Sequence, residues 1–164
     1  MATGDGNGWV DSGSGHRHWG RFGAAGLALL RTTPRPQVLL QLRAGWTHQG
    51  GSWGLVGGAR DSHESLAEAA LREAAEESGI DGLVLDPVPI DVDVHDVRCG
   101  AGDGTPATAS THYDVRFLVR CPAGATERVS AESSTLGWFH PDALPSPLAS
   151  ATTRQIPPAL ARLG

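Results

Sequence analysis

Glu73, Glu76 and Glu77 crowd three carboxylates into five consecutive residues, and Arg72 stands immediately before them. On a helix advancing about 100° per residue, with Glu73 at zero, Glu76 falls near 300° and Glu77 near 40°, so the acids share an arc of roughly 100°. Like charges at this spacing repel unless a cation joins them. Hard oxygen ligands on one face suit Mg²⁺ or Mn²⁺ better than zinc, and Mg²⁺ commonly completes its shell with waters and substrate phosphates. The chemistry indicated is phosphoryl or pyrophosphoryl hydrolysis, in which a divalent ion polarises a diphosphate, offsets its charge and lowers the pKa of an attacking water. Gly57 and Gly58 let the backbone approach metal and phosphates closely. Arg72 can hold the Glu73 carboxylate in a bidentate pair and so fix its orientation.

A wet acidic face on a surface helix would account for Glu64, Glu68, Glu73, Glu76 and Glu77 by charge alone. It gives no reason for the spacing, which reads Gly58, five residues, Glu64, seven residues, Arg72-Glu73, Ala74, one residue, Glu76-Glu77, one residue, Gly79 and Ile80.

Several elements must hold this stretch. A helix is expected over 64–78, closed by Gly79 in the left-handed conformation. Leu71, Ala67, Ala74 and Ala75 occupy a neighbouring arc from about 100° to 200° and are expected to grip the core while the acids face a cleft. Apolar runs at 22–30 and 37–43, separated by a Pro-containing turn, read as adjacent strands. A brief apolar element at 53–56 delivers the chain into the glycine pair. Strict alternation at 90–97 and the run at 111–121 read as further strands, with a short one at 136–139. From Pro141 onward the pattern is a helical tail broken by Pro145, Pro147 and the Pro157-Pro158 pair. Strands, one helix, strands and a helical end define a mixed α/β layer structure.

The 164 residues suit one domain, taken as 20–164 behind a flexible lead over 1–19 that nevertheless carries Trp9, His16, His18 and Trp19. Formal net charge is −5, and all 13 basic residues are arginines scattered singly, which argues against a nucleic-acid polymer as partner. Cys99 and Cys121 have neither metal-ligand spacing nor a disulfide framework. There is no signal-peptide pattern and no apolar stretch long enough for a bilayer, so a cytoplasmic protein without a membrane partner is expected.

The spacing around Glu73 resembles the Nudix hydrolase family at every fixed position of its box, from Gly58 to Ile80. The resemblance implies an α/β/α sandwich with a mixed sheet and Mg²⁺- or Mn²⁺-dependent hydrolysis of a diphosphate linkage in a nucleoside diphosphate joined to another moiety. It also implies that Glu73, Glu76 and Glu77, with the backbone carbonyl of Gly57, are metal ligands, and that the partner is a nucleotide small molecule. Family members often dimerise, so a homodimer is one open state. Two positions depart from the commonest pattern: Val56 stands where Pro is usual, and His63 where Gly is often found.

Family members draw the catalytic base from the box or from a later loop. Glu73 and Glu77 are box candidates, and Glu132 is the loop candidate because it lies six residues before Trp138; Glu127 is a weaker competitor. Trp46, His48, Trp53, His112, Tyr113 and Trp138 could face a base. The proline that marks an ADP-ribose branch has no counterpart, since Pro87 and Pro89 come too early and His95 stands near its place. Nucleoside triphosphates, oxidised ones included, are the expected substrates. ADP-ribose or another nucleotide sugar is the alternative, and a non-catalytic nucleotide sensor is the alternative of another class.

Overall fold

A computed structural model describes residues 4–11, 17–32, 34–46, 49–99, 108–131 and 133–163. Strand β3 (Ala24–Arg31) is its centre. It pairs antiparallel with β4 (Gln37–Arg43) and β6 (Val56–Ala59), and parallel with β8 (Thr108–Arg120). Outward from these lie β5 (Trp53–Gly54) and β9 (Ser133–Phe139) on β4, and β7 (Leu85–Cys99) on β8. This mixed sheet has seven strands, and β1 (Trp9–Asp11) and β2 (Arg17–Trp19) form a separate antiparallel pair.

The strands of the centre are apolar on both sides because both sides are covered. On one face, Leu27, Leu29, Leu39, Val115 and Phe117 pack on Ala69, Ala70 and Ala74 of α1 (Leu66–Ser78). On the other, Ala28, Leu30, Leu40 and Leu118 pack on Ile156 and Ala159 of α2 (Ser150–Ala161). The result is the expected α/β/α sandwich.

Most strand ends shift by a few residues from the sequence reading, and three differences have a clear local cause. Helix α1 begins at Leu66 rather than at 64, because Ser65 caps it: the Ser65 hydroxyl accepts the Glu68 N–H and the Glu68 carboxylate accepts the Ser65 N–H. Glu64 is thereby left outside the helix. Strand β7 extends beyond 90–97, and its register is irregular between Asp86 and Asp91, where Pro87 and Pro89 cannot donate to the ladder. The third difference is that α2 runs through Pro157 and Pro158. The missing amide bonds free the carbonyls of Thr153 and Arg154, both exposed, while buried Thr152, Gln155, Ile156 and Ala159 hold the helix down.

The start of the chain lies against the loop that follows β6. Gly6 N–H donates to Asp61 Oδ1 at 2.7 Å, and Ser62 donates N–H and hydroxyl to the Asp5 carboxylate. A Cβ at Gly4 would stand 2.0 Å from Asp61 Oδ2, and one at Gly6 1.9 Å from the Arg60 carbonyl oxygen. Only glycine lets the two segments come this close.

Candidate active site

Strand β6 and helix α1 build the site together. Gly58 pairs with Ala25 and Gly57 with Gly26, so the two glycines face opposite sides of the sheet. Gly58 faces α1, where a Cβ would lie 2.5 Å from Glu73 Oε2; the carboxylate occupies the space that a side chain would take. Gly57 has φ 153° and donates its N–H to Glu77 Oε2 at 2.7 Å. The same oxygen accepts Gln41 Nε2 at 3.0 Å.

Ala67, Leu71 and Ala74 pack on the core as expected, but two of the acids are more deeply buried than an arc facing a cleft suggests. Glu73 and Glu77 are each 7% exposed and belong to the buried face with Ala69, Ala70, Ala74 and Ser78, whereas Leu71, Ala67 and Ala75 are only half-buried. The buried face turns toward Glu73 because β6 meets the helix there with two residues that lack side chains. Glu76 alone keeps the expected exposure, its side chain being 62% accessible.

Arg72 supplies the cation that this crowd requires. Its bidentate partner is Glu64 rather than Glu73: Nε reaches Glu64 Oε1 at 2.6 Å and Nη2 reaches Oε2 at 2.9 Å. Glu73 receives a single bond, Nη1 to Oε1 at 2.7 Å, and Glu76 a longer one of 3.4 Å. Nη2 also donates to the Ala59 carbonyl, which fastens the helix to the end of β6. The cap is the reason, since a Glu64 outside the helix can fold back and meet the guanidinium side-on, through Nε and Nη2. The Arg72 hydrogen bonds hold the Glu64 carboxyl below its ordinary range, and Glu64 in turn raises the guanidinium further above its own.

Glu73, Glu76 and Glu77 offer the hard oxygen donors that suit a divalent cation, although they do not bring three ligand atoms within 4.8 Å of one another. Two buried carboxylates and one exposed one lie on consecutive turns beside backbone that side chains do not obstruct. Among the described residues, only Asp5, Asp61 and His63 bring three ligand atoms within 4.8 Å of one another, and Asp5 and Asp61 are already engaged in fastening the start of the chain.

Other sequence candidates are dispersed. Glu132 and His48 lie outside the described residues. Glu127 accepts the Trp138 indole N–H at 2.9 Å, and Arg31 stacks 4.3 Å above the same ring. Trp53 meets Phe139 edge to face, while Trp46 and Tyr113 are exposed. Gln41 was not anticipated as part of the site. Its signal is a polar residue at a buried position of the 37–43 run.

The fold and the box together define a family: the chain belongs to the NUDIX domain family, whose model matches residues 20–160. It is 46% identical over 141 residues to a Mycobacterium tuberculosis protein named as a candidate 8-oxo-dGTP diphosphatase 3; the match covers 84% of this chain and 61% of that protein. The chain thus spans about three fifths of the length of that curated relative. A solved Nudix hydrolase from M. smegmatis, RenU, is 34% identical with a TM-score of 0.74, covering 97% of this chain and 98% of that one. The NUDIX domain of Shewanella oneidensis NrtR, solved with ADP ribose, is alike in fold, with 23% identity, a TM-score of 0.67 and coverage of 86% and 87%.

Proposed function

We propose that this chain hydrolyses the diphosphate linkage of a nucleotide, with nucleoside triphosphates, oxidised ones included, as its substrate class. One observation carries the reading: Glu73 and Glu77 are buried against a glycine pair, with Gly58 leaving room for the Glu73 carboxylate and Gly57 bonded to Glu77. Burying two acids beside each other is costly in a helix that serves packing alone. The name of the M. tuberculosis relative supports the choice of an oxidised triphosphate.

In this reading Glu73, Glu76, Glu77 and the Gly57 carbonyl hold Mg²⁺ or Mn²⁺. When bound, the ion supplies charge neutralisation of the diphosphate and acidification of water. Arg72 orients Glu73 and keeps Glu64 at the edge of the site. Gln41 and the Gly57 N–H hold Glu77 Oε2 and so set the orientation of the carboxylate. Glu132 is the proposed base that takes the proton of the attacking water, with Glu73 and Glu77 as box alternatives. No described helix is long and apolar enough to cross a membrane.

A panel of nucleoside triphosphates, 8-oxo-dGTP, ADP-ribose and nucleotide sugars, incubated with Mg²⁺, tests the reading through the released product. Pyrophosphate and a nucleoside monophosphate from a triphosphate are expected. Preferential cleavage of ADP-ribose would move the assignment to the nucleotide-sugar branch, and nucleotide binding without turnover on any member would make the domain a sensor.

A further inference from the structure

Behind the Gly57 peptide, on the side away from α1, lies a cation that the box does not include. Val115, Phe117 and Val119 of β8 point to the α1 face, so Arg116 points to the other. Its side chain is only 12% exposed. Nη2 pairs with Asp114 Oδ2 at 2.8 Å, and Nη1 donates to the Val56 carbonyl at 3.2 Å. A Cβ at Gly57 would lie 2.3 Å from Arg116 Nη1, and one at Gly26 would lie 1.8 Å from it. The guanidinium therefore rests on the backbones of two glycines that pair across β3 and β6. Gly57 lacks a side chain on account of Arg116 as Gly58 does on account of Glu73. Arg116 Nε and Asp114 Oδ1 are buried and make no hydrogen bond among the described residues. A buried ion pair that is only half satisfied costs stability, and an apolar pair of similar volume would avoid the cost.

We infer that Arg116 is a positioning residue, which grips the Val56 carbonyl and backs the Gly57 peptide so that its N–H stays aimed at Glu77. This rests on the reading of Glu77 as a member of the metal-holding set. Loss of the guanidinium releases the peptide, and Glu77 then loses the donor that sets its orientation. A role through charge alone has the opposite sign, because removing a nearby positive charge tightens cation binding.

Arg116→Met and Arg116→Lys separate these roles, with Mn²⁺ binding to the purified protein measured by calorimetry and amide exchange followed across Val56–Ala59. Arg116→Met is expected to weaken Mn²⁺ binding about 10-fold and to speed exchange at Gly57 in the absence of metal, while Arg116→Lys restores binding to within about 3-fold of the wild type. Unchanged or tighter Mn²⁺ binding in folded Arg116→Met overturns the inference, as does unchanged exchange at Gly57. Should Arg116→Met fail to fold, Asp114→Asn takes its place, with a smaller loss of Mn²⁺ affinity expected and no loss counting against the inference. The underlying reading fails separately if Glu77→Gln binds Mn²⁺ as the wild type does, whatever the exchange at Gly57.

Discussion

Glu77 Oε2 receives both the Gly57 N–H at 2.7 Å and the Gln41 amide at 3.0 Å, so a single carboxylate oxygen joins α1 to β6 and β4. A carboxylate held in this way has lost its freedom to rotate before any ligand arrives. The chain has already met the entropic cost of orienting it during folding.

Glu77→Gln is accordingly a clean test of the site. The amide oxygen of glutamine can accept from both donors, so the melting temperature is expected to stay within about 3 °C of the wild type. Turnover is expected to fall about 1000-fold, the scale of several kcal/mol of lost charge stabilisation. A variant retaining a tenth of wild-type kcat would remove Glu77 from the metal-holding set. Glu132→Gln, assayed beside it, is expected to lower kcat with little change in KM, and wild-type kinetics would discard it as the base.

The two box glycines are expected to fail differently. In Gly57→Ala the new methyl meets the Ala25 carbonyl oxygen at 2.6 Å as well as Arg116, at a φ that L residues rarely adopt. A loss of about 2 kcal/mol or more is expected, visible as a lowered denaturation midpoint. In Gly58→Ala the nearest atoms to the methyl are those of the Glu73 carboxylate, the far end of a side chain that can shift. That variant is expected to keep most of its stability and lose most of its activity, and equal melting temperatures for the two would contradict the assignment of faces.

Acid should loosen the box by way of Glu64. Its carboxyl is held below the ordinary value of 4.5, first by the Arg72 hydrogen bond. The unfolded chain therefore takes up this proton at a higher pH than the folded chain does. The contribution is present in full above about pH 4.5 and is lost as pH falls through the lowered folded value. Glu64→Gln is expected to be less stable than the wild type at pH 7 and to converge on it below pH 4, as followed by thermal melts. Parallel curves at all pH values would sever the Glu64–Arg72 link from stability.

Cys121 should be an inert thiol. Burial raises its pKa to about 11, so at pH 8 almost none is thiolate, the form that reacts. Iodoacetamide followed by peptide mass analysis is expected to label half-buried Cys121 far more slowly in the native protein than after denaturant is added, and equally rapid labelling of both would contradict the raised pKa.

Local chemistry made much of the site legible in advance. The Gly79 stop and the strand at 90–97 are dictated by residues a few positions apart, and each found its counterpart, although the alternation did not set the faces: Val92 and Val94 are exposed, while Asp91 is covered by Arg154 and Gln155. What escaped depends on contacts between distant segments. Glu73 and Glu77 lie on one helix as expected, yet how deeply they are buried was decided by β6, whose glycines bring backbone against the acids. Arg72 turned to Glu64 because a serine cap displaced Glu64 from the helix by two positions. Gln41 and Arg116 look like ordinary strand polars until the pairing of β4, β6 and β8 with β3 and its neighbours places them beside the box.

The parallel pairing of β3 with β8 sets residues 24–30 against residues 114–120. Both hydrophobic layers are laid on these two strands, so neither layer can close until ninety further residues have been made. The order of synthesis is therefore not the order of assembly. The apolar run at 24–31 must wait without its central partner while the box helix forms locally from its own cap and stop signal. Contacts of such long range slow folding and prolong the exposure of sticky surface. A newly made chain therefore shows the apolar face of β3 to solvent until residues 114–120 have followed it.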